Sequence, residues 1–309
     1  MDDRDKTVLV TGGCGFIGSA LVPQLLKQGY TVRVLDNMSV GSAEDLSDYA
    51  VEIMVGDIRD KEAVSKAVAG ADGVVHLAAQ TGVIDSINAP EVDFEINAAG
   101  VLNMLLACRE YKVPRFVFAS SNAPIGENEP PVDETKPARP LSPYGASKLA
   151  GEGYCSAFNG SYGVGTVVLR FANAYGPRST HKGSVVAKFL KDAASTGKLT
   201  IYGDGMQTRD FVHTTDLCGA LIAALQSDVG GETFQIATGI ETTVLDLAQM
   251  VQREFPDIEI VHEGQRAGEI IKNYSNIEKA QTILKWDPQV TLADGLAETI
   301  HWFQTEYNK

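Results

Sequence analysis

Near its start the chain reads TVLVTGGCGFIGSALVPQLL, an apolar β-branched run that breaks into clustered glycines and resumes as a helical pattern. A strand joined to a helix through so short a turn restricts the fold more than any other stretch. Within Gly12-Gly13-Cys14-Gly15-Phe16-Ile17-Gly18, Gly12 permits the tight turn. Gly15 lets a backbone approach closely, and Gly18 allows the helix to pack tightly on the strand.

The same rhythm continues for about half the chain. Short apolar runs predict strands over 7–11, 31–35, 51–55, 73–77, 115–119 and 165–169. Amphipathic stretches between them predict helices over 16–28, 60–69, 90–111 and 144–162. Regular alternation implies a parallel sheet wound on both sides, and near-continuous apolar strands such as RFVFAS suit burial on both faces. After Arg170 the spacing changes. Helices are predicted over 184–196, 214–226, 244–254, 276–285 and 292–307, with short strands at 199–202 and 233–236. The fold class expected is α/β: a doubly wound parallel Rossmann sheet over 1–170 and a smaller mixed α/β lobe over 171–309, with some chain exchanged between them. In such folds ligands bind beyond the carboxyl ends of the strands.

With 309 residues, 44% of them hydrophobic and 21% charged, the chain has the make-up of an ordinary soluble protein. Its 26 Lys and Arg against 40 Asp and Glu give a net charge of −14, which repels nucleic acid and anionic lipid. An anionic small molecule must then be met by local positive groups. No apolar run approaches the roughly 20 residues that span a bilayer, and the acidic MDDRDKTVLV leads straight into a strand instead of resembling a secretory signal. Cys14, Cys108, Cys155 and Cys218 are scattered without CxxC or metal-ligand spacing, so free thiols, a cytoplasmic setting and no metal are expected. His76 and His213 read as packing or hydrogen-bonding residues.

The glycine turn, lying between strand and helix, is the context that cradles a dinucleotide pyrophosphate. Asp36 ends the second strand, where an acid meets the adenosine ribose and repels a 2′-phosphate, so NAD is expected over NADP. Asp57 and Ile58 end the third strand beside the adenine, and Leu77, Ala78 and Ala79 offer a floor of small residues after the fourth.

SPYGASKLAGEGY places Tyr144 and Lys148 four residues apart, on one helical face. A phenol titrates near pH 10 and is a poor base at neutral pH; a neighbouring ammonium and a positive nicotinamide ring would lower that value. Ser120-Ser121, ending the fifth strand, offers a hydroxyl to share the reacting oxygen.

GGCGFIG, Asp36, GDIRD, HLAA, the serine pair, YxxxK and RFANAYGPR, in this order, resemble the extended short-chain dehydrogenase/reductase family, within it the nucleotide-sugar epimerases of the UDP-glucose 4-epimerase type. The likeness runs from Thr7 to about Trp302. It implies Ser121, Tyr144 and Lys148 as catalytic residues, the last two also touching the cofactor. It also implies Asn97 in the cofactor network, with Phe16, Ile17, Asn37, Ser39, Gly41 and Phe171 lining NAD. Asn173, Val185, Thr200, Tyr202, Arg209, Arg266 and Glu269 would hold the UDP-sugar, the arginines on its diphosphate. Glu269 departs from the family's frequent Asp.

Epimerases, dehydratases and uronate decarboxylases share this scaffold. The dehydratases carry an Asp-Glu pair after the catalytic hydroxyl, whereas this chain has Asn122 and Ala123, which favours epimerisation of UDP-glucose and UDP-galactose. Pro124-Ile125 also replaces a segment in which relatives often have an aromatic, widening the sugar pocket or changing its depth. Arg178, His181 and Lys182 either face a sugar carboxylate, as in a UDP-glucuronate 4-epimerase, or cap the entrance. A non-catalytic NAD-binding sensor is the alternative from another class. Leu102, Leu105, Leu106 and Tyr154 exceed what one helix face needs, which reads as an interface or as ordinary core; the resemblance implies a homodimer in which helices 90–111 and 144–162 pair into a four-helix bundle.

Overall fold

The computed structural model describes residues 6–179, 181, 183–265 and 270–306. Its first half runs β1 (Thr7–Thr11), α1 (Phe16–Lys27), β2 (Thr31–Asp36), β3 (Glu52–Val55), α2 (Lys61–Val68) and β4 (Gly73–His76). There follow α3 (Val83–Asn88), α4 (Pro90–Phe94), α5 (Gly100–Glu110), β5 (Arg115–Ser121), α6 (Pro143–Tyr162) and β6 (Gly165–Phe171). The second half contains β7 (Asn173–Tyr175), α7 (Val185–Ser195), β8 (Lys198–Tyr202), β9 (Thr208–Arg209), β10 (Phe211–His213) and α8 (Thr214–Gln226). It ends with β11 (Glu232–Ile236), β12 (Thr242–Thr243), α9 (Val244–Glu254), β13 (Glu259–Glu263) and α10 (Leu292–Glu306).

Seven parallel strands form the central sheet in the order β11-β6-β5-β4-β1-β2-β3. Strand order reverses between β1 and β4, so the crevice opens at their carboxyl ends, beside the glycine turn. Successive side chains of β1 serve opposite faces: Val8 and Val10 pack with α1 and α8, Leu9 with α2, α5 and α6. The second lobe has a separate core around Phe189, Ile201, Leu247 and Phe303.

Local chemistry explains where the functional helices begin. Gly15 precedes α1 with no side-chain cap, leaving the helix N-terminus open to an anion. Pro143 opens α6 and the Ser142 hydroxyl accepts from the Gly145 N–H at 3.1 Å, so Tyr144 enters the first turn in fixed orientation.

The structure corrects three expectations. The strand expected at 233–236 among the second lobe's elements is the edge of the main sheet, paired with β6. α8, also from the second half, covers that sheet beside α1. The expected helix over 90–111 is not uniform, because Glu95–Ala99 widens into a π turn between α4 and α5. Finally, Leu105 lies in the core with Leu102 and Leu106 packed against it, so these three are not surplus. Tyr154 on α6 is exposed, as are Ile84 and Ile87 on the unforeseen α3 and Phe94 on α4.

Candidate active site

The glycine turn is built by contacts that side chains would forbid. Gly12 adopts φ of 68°, its N–H donates to the Leu35 carbonyl at 2.9 Å, and its carbonyl accepts from Gly15 at 3.1 Å. A Cβ at Gly18 would lie 2.3 Å from the Gly12 oxygen, and one at Gly41 would lie 2.0 Å from the Cys14 oxygen. A Cβ at Gly15 would meet only the Gly12 oxygen, at 3.3 Å. The open space above Gly15, at the uncapped end of α1, fits a pyrophosphate. Asp36 is fixed beside it, accepting from Cys14 N–H at 3.0 Å and Met38 N–H at 2.9 Å. Thr11, which the sequence reading passed over, receives the Ala78 N–H on its hydroxyl at 3.2 Å and so positions the loop after β4.

At the carboxyl ends of β2 and β3, Asn37 donates to Asp57 at 3.0 Å, and Arg59 grips the same carboxylate through Nε at 3.0 Å and Nη2 at 2.8 Å. That grip holds the Asp57 carboxyl well below the usual carboxylate range. Ile58 turns its side chain into the core against Gly100, while Ser39 is exposed. Phe16, Ile17, Leu77, Ala79 and Phe171 lie partly or fully buried around the crevice.

Tyr144 and Lys148 occupy successive turns of α6 and are both buried. The Ser121 hydroxyl is hydrogen-bonded to the Tyr144 phenol and accepts from Ala123 N–H at 3.2 Å. Lys148 donates to the Ala119 carbonyl at 2.9 Å, with its Nζ 4.8 Å from the Phe118 ring centre and 5.9 Å from that of Tyr144. Burial pushes the phenol up to about 12, with the Ser121 hydrogen bond pulling against it. Burial pushes the Lys148 ammonium down to about 8, opposed by Asp93 and Glu152. Ser120 serves a different purpose: it donates to Glu152 at 2.6 Å, within a buried ion pair between Glu152 and Arg170. Of the two serines, it is Ser121 that neighbours the Tyr144 phenol.

Asn97 sits in the π turn, its amide bracketing the Gln80 backbone with bonds of 3.0 and 2.8 Å. It also donates to the fully buried Asp93 at 2.7 Å, and Asp93 in turn accepts from Ser147 at 2.5 Å. Sequence reasoning missed Asp93 and Ser147. Their signal was slight: a carboxylate four residues before Asn97 and a serine between Tyr144 and Lys148.

A cleft of about 240 Å³ joins Ser121 and Phe171 to Asn173 and Arg209, with Asn122, Ala123 and Asn273 also on its walls. No carboxylate lines it among the described residues. Asn173 bonds the Asp210 carbonyl through its N–H at 2.9 Å and its amide at 3.3 Å; Arg209 donates to the carbonyls of Thr208 and Ile270 at 2.7 and 2.8 Å. Tyr202 lines a second hollow with Gln207, Gln265 and Ile271. Thr200 lies two residues earlier on β8, outside that lining, and Val185 opens α7 against the second core. Arg266, Glu269 and Lys182 lie outside the described residues.

Arg178 pairs through its Nε with Asp45 at 3.1 Å, in the short 3-10 turn Ala43–Leu46 that follows β2. The His181 ring lies 6.4 Å from that of Phe16. His76 bonds Thr11 at 2.7 Å between Phe116 and Phe118, and His213 caps α8 beside Tyr175. Among the described residues there is no cluster able to hold a metal, and no helix is long and apolar enough to cross a membrane.

Known proteins share this chain's sequence pattern and fold. Residues 8–237 match the model of the NAD dependent epimerase/dehydratase family. The UDP-glucose 4-epimerase of Mycolicibacterium smegmatis is 34% identical over 96% of this chain and 98% of its own length. A dTDP-glucose 4,6-dehydratase of Streptomyces niveus is 32% identical over 96% of this chain and 92% of its own. The crystal structure of Thermotoga maritima UDP-glucose 4-epimerase with UDP-glucose superposes with a TM-score of 0.92 at 36% identity, covering 97% of this chain and 99% of that one. The chain belongs to the NAD-dependent epimerase/dehydratase family of extended short-chain dehydrogenases/reductases, and its cofactor is NAD.

Proposed function

We propose that this protein interconverts the C4 epimers of a UDP-sugar, with UDP-glucose and UDP-galactose as the substrate pair. The observation that carries this reading is one cleft whose walls include both Ser121 and Arg209 without a lining carboxylate among the described residues. A 4,6-dehydratase needs an acid and a base beside the sugar, and Asn122 and Ala123 stand where that pair would be.

The 12–18 turn and Asp36 would hold NAD, which when bound accepts hydride from the sugar's C4 and returns it. Tyr144 takes the 4-hydroxyl proton, and Ser121 shares the hydrogen bonds of the reacting oxygen. The ammonium of Lys148 favours the phenolate needed for that step. Asn173 and Arg209 keep the diphosphate in place while the 4-keto sugar turns over to present the opposite face of C4 for the returning hydride, and Tyr144 gives the proton back to the C4 oxygen. Because the cofactor is restored in each cycle, it stays bound.

The uronate alternative loses support from Arg178, which is engaged with Asp45, and from His181, which lies beside Phe16. Exposed Ile84, Ile87, Phe94 and Tyr154 support a homodimer, and four free cysteines support a cytoplasmic setting. The test of function is NMR of purified protein with UDP-glucose and, separately, UDP-glucuronate, without added cofactor and with Tyr144→Phe as control. Formation of UDP-galactose by the wild type alone is the expected result. Turnover of the uronate only, or of neither sugar even with added NAD, would overturn the reading. Light scattering tests the dimer; a monomer at micromolar concentration refutes it.

A further inference from the structure

Asp93 is a carboxylate wholly removed from solvent. Its hydrogen-bond partners are neutral donors, Asn97 at 2.7 Å and Ser147 at 2.5 Å, and among the described residues no cation lies within ion-pair distance of it. A buried charge without a partner is costly, so its retention calls for a compensating group. Lys148 supplies that compensation, one helical residue beyond Ser147 and itself almost fully buried.

We propose that Asp93 is a positioning residue for the catalytic pair: through Ser147 it pins the Tyr144–Lys148 turn of α6 to Asn97 and Gln80, and its charge keeps Lys148 an ammonium. The inference rests on the reading of Tyr144 and Lys148 as the catalytic pair. Two consequences follow from one side chain. The hydrogen-bond chain Gln80–Asn97–Asp93–Ser147 links the loop after β4, which lies on the cofactor side, to the helix that carries the base. The π turn at Glu95–Ala99 falls within this chain at Asn97.

The charge acts among several neighbours. Lys148 faces Glu152 and Cys155 from its own helix, His76 from β4 and Asp93 from α4, with Tyr144 one turn before it. Arg170 on β6 already neutralises Glu152 through two hydrogen bonds. Asp93 therefore remains as the carboxylate whose charge no cation other than Lys148 balances. Its charge also disfavours the Tyr144 phenolate, so the same group that secures the ammonium raises the phenol. The ammonium secured by Asp93 supplies the opposing field.

The test is a titration of Lys148 by NMR of protein labelled with ¹³C at lysine Cε, the signal assigned by its loss in Lys148→Arg. Asp93→Asn keeps the size and one acceptor oxygen, with its amide group able to donate to the Ser147 hydroxyl, but removes the charge, so Lys148 should titrate about one pH unit lower than in the wild type. Ser147→Ala breaks the pin and keeps the charge, so the titration should not move down. The alkaline limb of kcat should follow the same order, with KM little changed in Asp93→Asn. If Asp93→Asn does not fold, Asp93→Ser serves, with the same expected downward shift. An unmoved Lys148 titration in the neutral variant, or an equal downward shift in Ser147→Ala, overturns the proposal. The titration is read without any sugar. An absence of turnover in the wild type would count against the epimerase reading and leave the electrostatic result standing.

Discussion

Replacing Arg170 by methionine tests how the sheet and α6 are held together behind Tyr144 and Lys148. Arg170 donates to Glu152 through Nε at 3.0 Å and Nη2 at 2.7 Å, and the side chains are 8% and 6% exposed. Methionine fills the space of the arginine stem but leaves Glu152 with Ser120 as its remaining donor. Removing one partner of a buried ion pair costs about 3–5 kcal/mol, because the other charge stays desolvated. Nη1 of Arg170 has no hydrogen-bond partner, so the native pair is itself imperfectly satisfied and the loss should fall near the lower end, about 3 kcal/mol. Glu152→Leu combined with Arg170→Met removes both charges and should return to within about 1 kcal/mol of the wild type. Urea unfolding followed by circular dichroism measures all three proteins, provided the slope m stays constant. The double variant should nevertheless turn over more slowly, since Lys148 loses one of the carboxylates that hold its proton. A cost below about 1 kcal/mol for Arg170→Met, or a double variant as unstable as the sum of its singles, would refute the reasoning.

His76 remains neutral in the fold because burial, and next Lys148, push it from 6.5 down to about 3. Its contribution is complete above pH 6.5 and is lost toward pH 3, as the unfolded chain alone takes up the proton; from pH 6.5 to 5 this is about 2 kcal/mol. Unfolding at both pH values should show a smaller acid loss in His76→Asn, and equal losses would count against the assignment. Gly18→Ala sets a Cβ 2.3 Å from backbone oxygen, so overpacking of about 1–3 kcal/mol should exceed the helix-propensity gain of about 1 kcal/mol and weaken NAD binding by calorimetry. Gly153→Ala meets nothing within 4 Å and should stabilise by about 0.5–1 kcal/mol; the same sign in both variants would exclude the packing argument. Asp36→Asn removes the like charge facing a 2′-phosphate, so NADP affinity should rise about tenfold (~1.4 kcal/mol), while an unchanged NAD/NADP ratio would place Asp36 away from the ribose.

Sequence alone determined the local elements whose cause is local. The glycine turn follows from backbone sterics, the strand-and-helix alternation from the two hydrophobic periods, and the Tyr144–Lys148 pairing from the helical repeat. Those features were legible because each depends on residues a few positions apart. Tertiary structure alone decided that β11 closes the edge of the main sheet, because an apolar strand has the same pattern in either lobe. It also decided that Leu105 is core while Ile84 and Phe94 face outward, since helix packing selects which apolar residues are covered. The π turn around Asn97 and the bond from Asp93 to Ser147, 54 positions apart, leave no periodic trace. A buried carboxylate takes its meaning from the groups that fold around it, and those groups come from distant parts of the chain.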